Sequence, residues 1–266
     1  MQLEVITREP TADAHPTPVL FVHGMWHAAW CWSEHFLPYF AQHGYKSYAL
    51  SLRGHGASEG RERLRWTSLA DFVSDVAQVS DQLEGQLARP PVLVGHSMGG
   101  IIVQKYLESR QAPAAVLLAS APPKGLIPAT LRVARHHPLI FLKVNLTFSL
   151  IHNIGTPELY KEAFFSANIP ERQLTAYHAR VQDESFRAYA DMMALNLPRP
   201  ERVGTPMLVL GTTGDNLIAP SEVEATAKAY KTRAEFFPDM GHAMMLDMGW
   251  QAVADRILDW LNEQDL

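Results

Sequence analysis

The sequence predicts an α/β protein built on a mostly parallel β-sheet. Two observations predict this class: short apolar runs bounded by glycine, proline or charged residues recur along the chain, and amphipathic helical patterns separate them. The apolar runs cover residues 19–22, 47–52, 91–94, 115–120, 207–210 and 235–237. Strands that alternate with helices need crossover connections, which cover both faces of a parallel sheet with helices.

Two of the intervening helices are well marked. Ser68 and Asp71 have the spacing of a capping box, apolar residues follow at helical spacing, and Gly85 is expected to end the helix. A similar pattern of apolar residues runs from Trp250 to Leu261. These segments therefore predict one helix early in the chain and another near its end.

The alternation is interrupted between residues 121 and 200, where about 80 residues separate two predicted strands. This segment begins with many leucine, isoleucine and phenylalanine residues and continues with a polar stretch of helical propensity. We therefore predict a core domain formed by residues 1–121 and 201–266, with a helical cap inserted at residues 122–200. The alternative is an additional layer of helices without a role at the functional site.

Composition excludes several classes of protein. A chain of 266 residues, 47% of them hydrophobic, can form a large core, and a net charge of −5 offers no basic surplus for nucleic acid. The single cysteine, Cys31, and the charged residues within positions 1–10 predict a reduced, cytoplasmic protein without a signal peptide. The most apolar stretch, residues 138–151, is shorter than the ~18 residues of a membrane span, although it allows transient contact with a lipid surface.

A candidate nucleophile follows the apolar run at residues 91–94. The sequence Gly-His-Ser-Met-Gly-Gly begins at Gly95, and apolar residues at helical spacing follow it directly. A sharp turn from strand to helix strains its central residue and requires small neighbours, which Gly95 and Gly99 provide. We therefore expect Ser97 to lie exposed at the carboxyl end of its strand, at the start of a helix.

The G-x-S-x-G pattern occurs a second time, around Ser58. Charged residues follow this copy, no apolar helical face begins after it, and Arg53 and Gly54 already end the preceding run. We therefore predict that Ser58 lies in a solvated loop and that Ser97 is the nucleophile.

Ser97 needs a general base, because a serine hydroxyl is a weak nucleophile at neutral pH. Of the 12 histidines, His242 follows the last predicted strand in a loop expected at the same sheet edge as Ser97. A histidine in an ordinary surface loop is the alternative. The other candidates are expected to be structural or solvated, with His96 pointing away from the site: His23, His55, His96, His136 and His137.

The imidazole also needs a carboxylate to hold its tautomer and stabilise its positive charge. Asp215 follows the predicted strand at residues 207–210, whereas Asp239 and Asp247 lie too close to His242 in sequence to orient its ring easily. A helix cap is the alternative role of Asp215. We predict that Asp215, His242 and Ser97 form the catalytic group.

Two backbone N–H groups are expected to bind the oxyanion, because main-chain donors cannot rotate away. One belongs to Met98, directly after the nucleophile, and the other to Met25, in the loop after residues 19–22. We further expect an apolar group of the substrate to bind beneath the cap, although core packing is an alternative role for the same side chains. The candidate substrate-binding residues are Trp26, Phe141, Leu146, Phe148 and Ile218.

The order Ser97, Asp215, His242, together with the elbow around Ser97 and the His23-Gly24 loop, resembles the α/β-hydrolase family over nearly the whole chain. The resemblance implies an eight-stranded, mostly parallel sheet with an insertion after the sixth strand. The elbow and the compact length are similar to those of serine esterases, monoacylglycerol lipases and lysophospholipases.

Departures from other branches narrow the expected chemistry. Serine at position 97 argues against haloalkane dehalogenases and epoxide hydrolases, which have aspartate there. Ala243 stands where hydroxynitrile lyases have lysine and many carbon–carbon bond hydrolases have tryptophan. We therefore expect hydrolysis of small to medium acyl or aromatic esters through an acyl-enzyme, with no metal or organic cofactor. A thioesterase or lactonase with the same residues, or a ligand receptor with slow turnover, is the alternative.

Overall fold

Seven strands form one sheet in the computed structural model, which describes residues 1–11 and 13–266. The strands are β1 (Val5–Arg8), β2 (Val19–Val22), β3 (Ser47–Leu50), β4 (Val92–His96), β5 (Ala115–Leu118), β6 (Met207–Thr212) and β7 (Ala234–Phe237). Their order across the sheet is β1-β3-β2-β4-β5-β6-β7, and β1 alone runs antiparallel to its neighbour. All residues of β2 to β6 are buried, so both faces of the sheet are covered, as the α/β class requires.

The strand count corrects the expectation of eight strands. Residues ahead of β2 contribute one strand, β1, and the long insertion follows the fifth strand instead of the sixth. Periodicity does not reveal β1 because its first three residues are only half-buried and its last, Arg8, is exposed at the sheet edge.

Six helices flank the sheet: α1 (Trp30–Ser33), α2 (Phe36–Gln42), α3 (Leu69–Leu87), α4 (Met98–Tyr106), α10 (Pro220–Ala229) and α11 (Trp250–Glu263). The capping box at the start of α3 is confirmed, since Ser68 Oγ accepts from the Asp71 amide and the Asp71 carboxylate accepts from the Ser68 amide. The predicted end of α3 is wrong: the helix continues through Gly85 and ends at Leu87, with Ala88 in the left-handed conformation.

Five further α-helices lie between β5 and β6: α5 (Ile127–His136), α6 (Pro138–Thr147), α7 (Pro157–Phe164), α8 (Glu171–His178) and α9 (Phe186–Ala190). A 3₁₀ turn covers Leu150–Ile154, and a π-helical turn follows α9 at Asp191–Leu195. The insertion is therefore helical. That residues 122–200 form a separate cap domain stays a prediction.

An aromatic cluster beneath β2 anchors the first half of the sheet. The ring of Phe21 lies 4.9 Å from Trp32, 6.0 Å from Phe36 and 5.1 Å from Phe40, and all four side chains are fully buried. Each buried side chain of this size contributes about 1.5–3 kcal/mol. In the described part of the chain, every helix is too short or too polar to cross a membrane.

Candidate active site

Ser97 lies at the sharp turn that joins β4 to α4. Its backbone has φ 53° and ψ −117°, a strained conformation for a residue with a side chain. A Cβ atom at Gly95 would lie 2.5 Å from the carbonyl oxygen of Gly99, and one at Gly99 would lie 2.2 Å from the carbonyl oxygen of Val22. The close passage of strand and helix therefore requires glycine at both positions.

The two serines of the G-x-S-x-G pattern have different surroundings. Ser97 is half-buried and lines a cavity. Ser58 is buried, and its hydroxyl donates to the carbonyl of Ser51 at 2.6 Å and accepts from the Glu4 amide at 2.8 Å. Ser58 lies in a loop, as predicted, but the prediction that this loop is solvated there is wrong, because the hydroxyl is buried between Ser51 and the residue that precedes β1.

Asp215 and His242 form a fully buried pair of side chains. Asp215 follows β6 closely, and its Oδ2 accepts from His242 Nδ1 at 2.7 Å, while its Oδ1 accepts from the amides of Leu217 and Ile218. Because a carboxylate only accepts, the proton of the imidazole is held on Nδ1. The other ring nitrogen, Nε2, is buried and has no hydrogen-bond partner among the described residues.

His96, which precedes Ser97, holds the backbone of His242. Its Nε2–H donates to the His242 carbonyl at 2.8 Å, and the two rings lie 4.7 Å apart. Burial lowers the pKa of His96 well below its ordinary value, so the ring stays neutral. The expectation that His96 points away from the site is wrong, and no sequence signal indicated a contact between residues so distant in the chain.

The loop after β2 passes directly against Ser97. A Cβ atom at Gly24 would lie 2.8 Å from the Cβ atom of Ser97. In the described chain, the amides of Met25 and Met98 donate to no other protein group, so both are available to a ligand. The predicted structural role of His23 is confirmed: Nδ1–H donates to the Gly24 carbonyl, Nε2 accepts from the Leu52 amide, and burial lowers its pKa.

Ser97 and Asp215 line a cavity of about 340 Å³ together with residues of the insertion. Most of the lining is apolar and comes from α5, α6 and the segment after β6: Val133, Ile140, Phe141, Val144, Leu217 and Ile218. Met25 and Trp26 lie beside Ser97 on the cavity wall. The arrangement can accommodate an apolar group next to the serine hydroxyl. Groups of three or more metal-binding side chains do not occur among the residues that the structure describes.

Three of the five candidate substrate-binding residues line this cavity: Trp26, Phe141 and Ile218. Leu146 is 71% exposed and Phe148 43% exposed, and neither lines the cavity. Leu146 lies on the outer face of α6, because helical geometry rotates it by about 140° from Phe141. Phe148 follows the end of α6 and packs between Trp66 and Phe186. The structure therefore places Leu146 and Phe148 outside the cavity that Ser97 lines.

Known proteins are similar to this chain in sequence and in fold. The chain is 28% identical over 216 residues to pFDCC methylesterase MES16 of Arabidopsis thaliana, a match that covers 74% of this chain and 76% of that protein. It is 34% identical over 109 residues to a non-heme chloroperoxidase of Streptomyces lividans, covering 40% of this chain and 37% of the chloroperoxidase. Shorter matches, which cover about a quarter of the relative, include protein phosphatase methylesterase 1 of Bos taurus.

Solved structures extend the likeness to the whole fold. The monoacylglycerol lipase of Paleococcus ferrophilus superposes with a TM-score of 0.73 at 23% identity, covering 99% of this chain and all of the lipase. A non-heme bromoperoxidase structure from Mycobacterium tuberculosis gives 0.74 at 21% identity over 99% of this chain and 97% of that one. A model of the alpha/beta hydrolase family matches residues 19–256. The chain therefore belongs to the α/β hydrolase family.

Proposed function

We propose that the protein is a serine hydrolase that cleaves carboxylic esters through an acyl-enzyme. The observation that carries this proposal is the position of Ser97, strained and half-buried at the wall of a largely apolar cavity that is also lined by Asp215, the buried partner of His242. Relatives and structural neighbours named as esterases, methylesterases and a monoacylglycerol lipase support ester hydrolysis.

The proposed reaction begins when Ser97 Oγ attacks the ester carbonyl and His242 Nε2 takes the hydroxyl proton. Asp215 stabilises the imidazolium, and the amides of Met25 and Met98 donate to the oxyanion. Collapse of the tetrahedral intermediate releases the alcohol, which receives the proton from His242. A water molecule, deprotonated by His242, then attacks the acyl-enzyme and releases the carboxylic acid, with the proton returning to Ser97.

The proposed substrates carry a small to medium acyl or aromatic group. The apolar lining from α5 and α6 would hold this group, with each buried methylene contributing about 0.8 kcal/mol. In this proposal residues 122–200 act as a cap that excludes water from the acyl group.

The two serines of the repeated pattern provide a test with a built-in control. Ser97→Ala is expected to reduce the hydrolysis of p-nitrophenyl butyrate by about three to six orders of magnitude. Ser58→Ala removes a buried hydroxyl with two hydrogen bonds, so it should lower stability by about 1–3 kcal/mol and leave kcat within about twofold. Near-normal turnover by Ser97→Ala would refute the proposal.

A fluorophosphonate probe separates the proposed enzyme from a receptor with the same fold. An enzyme should be labelled at Ser97 and should also turn over simple esters rapidly. Labelling with negligible turnover of esters, thioesters and lactones would favour a ligand receptor instead. The same panel of substrates distinguishes an esterase from a thioesterase or a lactonase.

A second role, transient contact with an anionic lipid surface, is favoured by the outer face of α5 and α6. Residues 124–152 contain no aspartate or glutamate in a chain of net charge −5. Of their four lysine and arginine residues, Arg132 is paired with Glu222 and lines the cavity, which leaves three exposed cations: Lys124, Arg135 and Lys143. Leucines on the same segment are exposed at the helical spacing of an interfacial helix: Leu139, Leu142 and Leu146. Apolar side chains interspersed with cations suit an interface with acidic headgroups.

Sedimentation with vesicles tests this second role. Binding to phosphatidylglycerol vesicles is expected to exceed binding to phosphatidylcholine vesicles. It should weaken in 0.5 M salt, where the Debye length of about 4 Å screens the attraction to the headgroups. It should disappear in the double variant Leu139→Glu/Leu142→Glu. Leu195→Glu is the matched control, because Leu195 is 71% exposed outside this segment. The lipid contact would be contradicted if the wild-type protein bound neither vesicle type, or if it dimerised through Leu139 and Leu142 instead.

A further inference from the structure

We propose that Glu184, a buried residue of the insertion, is a positioning residue that fixes the Met25 amide for oxyanion binding. The proposal rests on the proposed function, because it concerns the loop that would bind the oxyanion. Glu184 lies far from Ser97 in sequence and does not line the cavity. Its effect would pass through the backbone of Trp26.

The first argument comes from the conformation of Trp26. This residue has φ 66°, in the left-handed region that side chains disfavour, so a loop of this shape needs external contacts to persist. The insertion supplies these contacts on both sides of the residue. The Trp26 amide donates to Glu184 Oε2 at 3.3 Å, and the Trp26 carbonyl accepts from the Gln182 amide at 3.1 Å.

The second argument concerns the peptide group that joins Met25 to Trp26. Its N–H is the one bound by Glu184, and its carbonyl accepts from His27 Nδ1 at 2.9 Å. Because peptide groups are planar, these two bonds fix the orientation of the whole unit. Only the two backbone torsions of Met25 then separate this fixed plane from the Met25 N–H that would face the oxyanion.

The third argument is the burial of Glu184 itself. The residue is 1% exposed, and the same Oε2 atom that holds Trp26 also accepts from His55 Nε2 at 3.1 Å. The other ring nitrogen, His55 Nδ1, lies 3.1 Å from the Arg53 carbonyl oxygen. Burying an acidic side chain adds little net stability, so the presence of Glu184 beside the loop favours a role in geometry over one in stability.

Gln182 connects the same two parts of the molecule. Its side-chain amide donates to the Gly54 carbonyl at 2.8 Å and accepts from the Gly56 amide at 3.0 Å. The loop at residues 53–56 and the insertion residues 182–184 therefore form one hydrogen-bonded support beneath Trp26. This arrangement gives the Arg-Gly-His-Gly sequence after β3 a function that the sequence alone did not indicate.

Asp191 provides a matched control for Glu184. It is also a buried acid of the insertion, 2% exposed, and its Oδ2 accepts from the Leu69 amide at 3.0 Å. Leu69 begins α3, which contributes no residue to the cavity. Loss of the Asp191 carboxylate breaks one bond between insertion and core, and loss of the Glu184 carboxylate breaks two, but only loss of Glu184 should affect the Met25 amide.

The test compares Glu184→Ala, Glu184→Gln and Asp191→Ala. Glu184→Ala is expected to lower kcat for p-nitrophenyl butyrate by about 10- to 100-fold with KM within about threefold, because the oxyanion forms only after binding. Its affinity for a trifluoromethyl ketone, which serine converts to an oxyanion adduct, should fall in the same proportion. Glu184→Gln keeps an acceptor for Trp26 and should stay within about fivefold of the wild type. Asp191→Ala should lower the melting temperature by a similar amount and leave kcat within about twofold.

Equal losses of kcat in Glu184→Ala and Asp191→Ala would assign Glu184 a merely structural role and overturn the proposal. A rise in KM alone, unchanged ketone affinity, or a Glu184→Gln variant as impaired as Glu184→Ala would also contradict it. Ser97→Ala distinguishes a failure of the proposed function from a failure of the role of Glu184. Near-normal activity of Ser97→Ala would refute the proposed function. An inactive Ser97→Ala together with a fully active Glu184→Ala would refute only the role of Glu184.

Discussion

Replacing Gly99 with alanine tests whether close packing beneath Ser97 is essential. The new Cβ atom would lie 2.2 Å from the carbonyl oxygen of Val22 and 2.6 Å from that of His23, whereas ordinary contact begins at 3.4 Å. Both obstacles are backbone atoms, so a side-chain rotation cannot relieve them. Helix α4 must therefore move away from β2 by about 1 Å, as overpacked sites do at a cost in strain.

The magnitude follows from two opposing effects. Alanine is favoured over glycine within a helix by about 1 kcal/mol, but overpacking costs about 1–3 kcal/mol, so the variant should be less stable than the wild type. Because Ser97 and the Met98 amide move with the helix, a displacement of about 1 Å should reduce kcat/KM on the order of 100-fold.

Gly85→Ala is the control for this experiment. Gly85 lies within α3, where a Cβ atom would meet no atom within 4 Å, so only the helix preference remains. This variant should be stabilised by about 0.5–1 kcal/mol and keep full activity. Urea unfolding measures the stability of each variant, and ester hydrolysis measures its kcat/KM. A Gly99→Ala enzyme as stable and as active as Gly85→Ala would refute the steric reasoning.

Two further predictions concern pH and chain length. Burial lowers the pKa of His27 from 6.5 to about 4, so the unfolded chain binds a proton at this residue more readily than the folded chain does. The contribution of His27 to the free energy of unfolding is therefore complete above pH 6.5. It decreases by about 3 kcal/mol as the pH falls toward 4. Urea unfolding at pH 7, 5.5 and 4 should therefore show a steeper loss in the wild type than in His27→Gln, and parallel profiles would contradict this. Phe141→Ala should shift the preferred p-nitrophenyl ester toward longer acyl chains, whereas Leu146→Ala should leave the profile unchanged; equal shifts would place the acyl group outside the cavity.

Local patterns in the sequence were sufficient to predict much of the fold. The strand runs and the capping box at Ser68 depend on neighbouring residues, and the elbow at Ser97 is marked by glycines within two positions. The edge strand β1 was not predicted, because its three half-buried residues and the exposed Arg8 show no clear alternation. The hydrophobicity of Leu146 does not indicate its position, because the face of α6 that turns toward the cavity depends on how the insertion packs.

Contacts between distant parts of the chain could not be predicted in the same way. His96 bonds to a residue 146 positions away, and Glu184 bonds to partners 129 and 158 positions away. Neither residue belongs to a spacing pattern that would reveal its partner. The burial of Ser58 could not be predicted for the same reason, since its hydroxyl meets the Ser51 carbonyl and the Glu4 amide only once the sheet has formed.

The five buried histidines of the described chain differ in their suitability as a general base. A base needs a ring nitrogen free to take a proton and a neighbouring group that stabilises the resulting charge. His23, His27 and His55 use both ring nitrogens in hydrogen bonds. His96 has a free Nδ1, but burial lowers its pKa well below the ordinary value and its other nitrogen binds a carbonyl. His242 combines a free Nε2 with a carboxylate on Nδ1, so its proposed role follows from its contacts as well as from its place after the last strand.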